Sequence, residues 1–170
     1  MSPKLTDPAT FLSSLVTKKG KSDRYGVYLT GVNILASATE NYDYDVSLEK
    51  VERDVQNLFA HDENDWNALL VETRRQTDEV VFPISFIRGR EPNTAYFLAE
   101  GHEMSAMVFI PTIVVDEFVT EVTFFQHLLR DVASFAGKVP TSIRFIIGAV
   151  SMDWDNLVER GCAREVDIGF

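Results

Sequence analysis

The chain predicts an α+β protein, with a mixed sheet packed against helices and one long buried helix. Three observations carry this. Between Phe118 and Ala136, the residues Val122, Phe125, Leu129, Val132 and Ala136 fall on one helical face, and Gly137 follows as a stop. From Glu79 onward the pattern changes to extended runs, EVVFPISFI, NTAYFLAEG and HEMSAMVFIPTIVV, with glycine-containing breaks between them. Shorter amphipathic segments precede the extended region.

In chain order, Thr6 and Asp7 before Pro8 offer an N-cap with proline in the first turn, and Phe11, Leu12, Leu15 and Val16 recur at helical spacing, so a helix runs from about Pro8 to Thr17. The stretch YGVYLTGVNILAS is rich in β-branched and aromatic residues and reads as a strand or a strand pair; the acidic TENYDYD after it is a loop. Ser47 caps a helix with the stripe Leu48, Val51, Val55, Leu58 and Phe59, and a shorter helix around Trp66, Leu69 and Leu70 comes next. Two of the extended runs pair as an antiparallel hairpin turning at Glu100, Gly101 and His102. A last strand, SIRFIIGAV, leads into SMDWDNLVER, which reads as a helix.

The chain has 170 residues, enough to bury a sizeable core as one domain spanning 1–170. Hydrophobic residues make up 45% and charged residues 25%, a globular rather than a disordered composition. A net charge of −10 argues against nucleic acid or an anionic membrane as the main partner, because both need a concentrated basic surface. No apolar run reaches the roughly 18 residues of a membrane span, and no secretory leader pattern is present, so the expected location is cytoplasmic. The single cysteine, Cys162, excludes an intramolecular disulfide and a cysteine-based zinc site.

Several residues could carry chemistry. Arg74 and Arg75 are either two solvated arginines at a helix end or a fork around one oxyanion. Arg24, in the basic, glycine-punctuated KKGKSDRYGVYLTG, could place a guanidinium on a phosphate or face water. His61, His102 and His127 are too dispersed for a local metal motif, and His127 reads as a packed or half-exposed helix residue. Cys162 sits in a polar tail with no nearby histidine and reads as an incidental thiol. Ser151, Asp153 and Asp155 lie just past an expected strand end, as site residues or as helix caps.

Taken in order, these pieces resemble the thymidylate synthase family, which includes the deoxycytidylate hydroxymethylases. FLSSLVTKKGKSDRYGVYLTG matches the family's opening helix, glycine, DRTG loop and strand, with Tyr25 for threonine. TRRQTDEVVFPISF and EPNTAYFLAEG follow the order of its double arginine, strand and nucleophile region. AYFLAEGHEMSAMVF resembles its hairpin, IVVDEFVTEVTFFQHLLRDVASFAG its RSxD element and long helix, and SIRFIIGAVSMDW its last strand with the sugar-binding H-x-Y pair.

The resemblance implies a homodimer in which Arg24, with the partner subunit's Arg74 and the partner subunit's Arg75, grips a nucleotide phosphate. It implies that Asp116 meets the pyrimidine and folate, and that Ser151 and Asp153 stand at the sugar-binding pair. The nucleophile position is occupied by Asn93 or Thr94 rather than cysteine, and Ile113 and Val114 replace the arginine and serine of RSxD. Neither asparagine nor threonine replaces a thiolate in attack on pyrimidine C6. The expected function is therefore binding of a pyrimidine nucleotide or similar phosphorylated ligand without methyl transfer, with no metal. A protein-interaction scaffold on the same dimeric fold is the second reading. A folate-dependent C5 transferase using methylenetetrahydrofolate, with Asp116 and Asn93 as its catalytic candidates, is the third.

Overall fold

The computed structural model describes residues 7–24, 26–61, 80–88 and 91–153, and side chains within 7–24, 26–58 and 93–152. It is α+β, as the periodicity predicts. Helix α1 (Pro8–Lys19) begins where Asp7 accepts from the Ala9 amide at 2.8 Å. Tyr44, from the acidic loop, donates its hydroxyl to the Asp7 carboxylate and accepts from the Ala9 amide at 3.1 Å. Burial, and then the neighbouring Asp7 carboxylate, raise the Tyr44 phenol far above its ordinary pKa, so it stays a donor to the cap. Only Leu12 and Val16 of the expected α1 stripe are fully buried; Phe11 is 44% exposed.

The expected strand after α1 is one twelve-residue element, β2 (Gly26–Ser37), preceded by the two-residue β1 (Lys21–Ser22). A tight turn joins them: the Asp23 amide donates to the Gly26 carbonyl at 2.9 Å, and the Asp23 carboxylate accepts from the Gly26 amide at 3.1 Å. Helix α2 (Leu48–His61) starts at Ser47, whose hydroxyl accepts from the Lys50 amide at 3.4 Å. Val51 and Val55 are buried, but Leu48 is 56% exposed, a departure from the expected stripe. It stands on the first turn of α2, which borders the cleft described below.

Strands β3 (Val80–Arg88), β4 (Glu91–Glu100) and β5 (Glu103–Val114) form an antiparallel meander, turning at Gly101 and His102 between β4 and β5 as expected. A 3₁₀ turn, Val115–Glu117, leads into α3 (Phe118–Ala136), whose bounds coincide with those read from its period. Gly137 ends it at φ 70°, a left-handed conformation that lets the Lys138 amide reach the Ala133 carbonyl at 2.8 Å. The chain then returns as β6 (Val139–Asp153), parallel to β5 and antiparallel to β2. The sheet order is β1-β2-β6-β5-β4-β3.

Alternation sets the two faces. Val32, Ile34, Phe97, Val108, Phe145 and Ile147 are buried in one core with Phe125, Leu128 and Leu129 of α3. Gln126, also buried, donates to the carbonyls of Ser37 at 2.8 Å and Glu40 at 2.9 Å, tying the end of β2 to α3. The intervening positions are half-buried or exposed, Leu35 and Phe109 among the exposed ones.

One expectation is corrected. Ser151, Met152 and Asp153 do not open a helix; they continue β6, paired with Tyr28, Val27 and Gly26. Cap-forming residue types lose here to a ladder already set by eight earlier pairs between the same two strands, from Ser37↔Ser142 to Leu29↔Val150. The expected helix around Trp66 and the residues of the expected last helix from Trp154 onward lie outside the described residues.

Candidate functional site

The parallel strands β5 and β6 end side by side, next to the start of β2, and α3 departs from the same end. At Gly148 the two strands approach so closely that a Cβ would lie 2.6 Å from the Pro111 carbonyl oxygen. Pairing continues past this point, Thr112↔Ala149 and Val114↔Ser151, and these residues run into the wall of a cleft of about 900 Å³. Gly148→Ala is expected to destabilise the fold by about 2–3 kcal/mol through overpacking against backbone. At Gly31, with φ 66° and open space for 4 Å around the place a Cβ would take, alanine meets only the left-handed penalty of about 1–2 kcal/mol. Urea midpoints of the two variants check the difference.

Tyr28 of β2, Asn93 of β4, Ile110, Thr112, Ile113 and Val114 of β5, and Ala149 to Ser151 of β6 contribute from the sheet. Lys50 and Asp54 of α2, and Glu117, Thr120 and Glu121 at the start of α3, contribute from the helical side. The sheet contribution spans four neighbouring strands, about 14 Å at the usual strand spacing.

Asn93 is the unusual member. It shares the buried face of β4 with Ala95 and Phe97 and is 5% exposed. Among the described residues its carboxamide has no hydrogen-bond partner. Leaving such a group dry costs about 1–3 kcal/mol, which a ligand offering one donor and one acceptor would recover. Tyr28, 38% exposed, presents a ring beside the same cavity, and it pairs across the strands with Ser151.

The cleft therefore gathers three of the regions singled out in sequence: Asn93, the Ile113–Val114 pair and Ser151. Thr94 alternates to the other side of β4 and does not line it. Asp116 is exposed in the 3₁₀ turn and does not line the cavity; its neighbour Glu117 does. Arg24 is exposed in the β1–β2 turn and is not part of the lining. Asp153 pairs with Gly26 through the backbone. Arg74, Arg75 and Cys162 lie outside the described residues.

Tyr28, Lys50, Asp54, Glu117 and Glu121 were not singled out by sequence reasoning. Each is an ordinary surface type, and only tertiary folding brings α2 and the start of α3 to the strand ends. Among the described residues no group of three or more His, Cys, Asp or Glu side chains is placed to hold a metal ion. No helix of the described residues is long and apolar enough to cross a membrane.

His127 is half-buried on α3, as its position suggested. Burial, then Arg130, lower its pKa, with Glu52 of α2 and Asp131 opposing; burial raises that of Asp131. The folded state thus accepts the imidazole proton later than the unfolded chain does. The stability held by neutral His127 is complete above its ordinary value of 6.5 and is lost as pH falls through the lowered folded value. Asp131 works oppositely: its contribution is complete below its ordinary 3.8 and fades as pH rises through the raised folded value. His127→Gln is expected to flatten the fall in urea midpoint below pH 6.5 and, by removing the imidazole that lowers Asp131, to leave the Asp131-linked change as large or larger.

No protein-family model matches the chain, and no curated protein matches it.

Proposed function

We propose that this is a thymidylate synthase-like protein that binds a small pyrimidine-type ligand in the cleft without transferring a one-carbon unit to it. The observation that supports this reading is the buried Asn93 carboxamide facing the cavity at the strand where the resemblance places the nucleophile. A carboxamide pairs with the –CO–NH– edge of uracil or thymine, or with the –N=C–NH₂ edge of cytosine, through one donor and one acceptor. It supplies no electron pair for attack on C6, so the described lining does not fit methylenetetrahydrofolate-dependent transfer. A cytoplasmic location belongs to the same reading, since one cysteine forms no disulfide within the chain.

Calorimetric titration with pyrimidine nucleosides and nucleotides tests the reading; heat with at least one is expected, and no heat with any would sink it. Tritium release from 5-tritiated dUMP or dCMP with methylenetetrahydrofolate is expected to stay at background.

The scaffold reading is favoured by a different observation. On the outer sheet face Leu35 is 58% exposed and Phe109 37% exposed, and the Tyr96 ring meets Phe109 edge-on at 5.6 Å. A homodimer joined through this face would bury that apolar surface. Light scattering is expected to return twice the chain mass; a monomer mass removes the dimer, and with it any phosphate clamp built from two subunits.

A further inference from the structure

We infer that the loop 38–47 is a strap that sets the position of α2 at the cleft, with Tyr42 and Tyr44 as its fasteners and as positioning residues for that wall. Such a strap shapes the cleft whichever ligand it takes.

The ten residues between β2 and α2 are irregular, yet hydrogen bonds recur along them. The Ser37 hydroxyl accepts from the amides of Thr39 at 3.2 Å and Glu40 at 3.1 Å, turning the chain off the end of β2. The Asn41 carboxamide oxygen accepts from the Asp43 amide at 3.0 Å, and Asp43 takes a left-handed φ of 61°. The Val46 amide then donates to the Tyr44 carbonyl at 2.9 Å.

Three elements hold this stretch. At the end of β2, the Ser37 amide donates to the Tyr42 hydroxyl at 2.8 Å. At the start of α1, the Tyr44 hydroxyl donates to the Asp7 carboxylate and accepts from the Ala9 amide at 3.1 Å. From α3, Gln126 donates to the carbonyls of Ser37 and Glu40. The two tyrosine rings stack with centroids 5.6 Å apart, so each fastener supports the other. Burial raises both phenols above their ordinary pKa, so both keep their protons, and the bond from Tyr44 to a carboxylate is of the strong, charge-assisted kind.

Ordering an irregular segment opposes folding through its lost entropy, and the element that this order fixes next is α2. Ser47 follows Tyr44 by three residues, and its hydroxyl reaches the Lys50 amide only at 3.4 Å, so the incoming chain locates the first turn more than the cap does. Lys50 and Asp54 of α2 line the cleft, while Val51 and Val55 are buried where α2 meets α3. A shift of the strap therefore reaches the cleft wall within one helical turn.

Hydrogen exchange of the full chain, read by mass spectrometry, tests this on the wild type, Tyr42→Phe, Tyr44→Phe and the double variant, which keep the stacked rings and remove only hydroxyls. In the double variant the amides of residues 50–58 are expected to exchange tenfold or more faster, while those of β5, β6 and residues 124–132 of α3 stay within twofold of the wild type. Equal acceleration in all these segments would mean that the hydroxyls hold the fold as a whole, and unchanged exchange in α2 would mean that packing on α3 alone positions the helix; either result overturns the inference. Both are read without any ligand, so a failure of pyrimidine binding does not touch them.

Discussion

Phe145→Ala is expected to destabilise the protein by about 3–5 kcal/mol, lowering the thermal midpoint by roughly 10 °C. Phe145 is fully buried at the middle of β6, the strand that joins β2 to β5. Its ring meets Phe118 edge-on at 5.2 Å and Phe125 at 5.9 Å, so it connects the sheet to both the start and the middle of α3. The cavity left by alanine borders side chains on a strand paired on both edges, which limits collapse around it. Phe145→Leu, which keeps most of the volume, should cost less than half as much. Equal losses for the two variants would mean that the aromatic edge contacts, rather than the filled volume, hold this region together.

The second large effect concerns Asn93. Asn93→Leu is expected to raise stability by about 1–2 kcal/mol, because a buried carboxamide with no hydrogen-bond partner among the described residues is replaced by an apolar group of similar size. On the proposed reading the same change is expected to weaken binding of the pyrimidine-type ligand about 100-fold, since the carboxamide pairing is lost. Thermal unfolding and calorimetry on one preparation read both numbers. A gain in stability with a loss of binding identifies a residue kept for its ligand; a loss of stability would show that the carboxamide serves the fold.

How much was legible in the sequence differs from element to element. Helix α3 was readable to its end residues because five apolar positions hold one helical phase and a glycine follows. The β4–β5 hairpin was readable because Gly101 interrupts two extended runs. The end of β6 was not: Ser151 and Asp153 carry strong local preferences for capping a helix, and what overrides them is pairing with Gly26 to Tyr28, more than 120 residues earlier in the chain. Leu48 was misplaced because it is the first residue of α2, and a helical period alone does not show whether a helix's first turn meets the core. Of the site, Asn93 and Ser151 emerged from the order of the motifs. The charged residues of the lining, Lys50, Asp54, Glu117 and Glu121, belong to helix surfaces and come together only when α2 and α3 meet the sheet.

The position of β6 also orders the assembly of the molecule. Until it inserts, β2 with its short partner β1 and the meander β3-β4-β5 are two separate pieces, each presenting one long open edge to the same missing strand. The loop to be closed between β2 and β6 is long, so contact order predicts slow folding, with the meander and the β5–α3–β6 crossover forming before β2 docks. A chain emerging from the ribosome would hold both edges unpaired until Asp153 had cleared the exit. Those edges, flanked by Ile34, Leu35, Val108 and Phe109, are where a stalled or truncated product would pair with a neighbour.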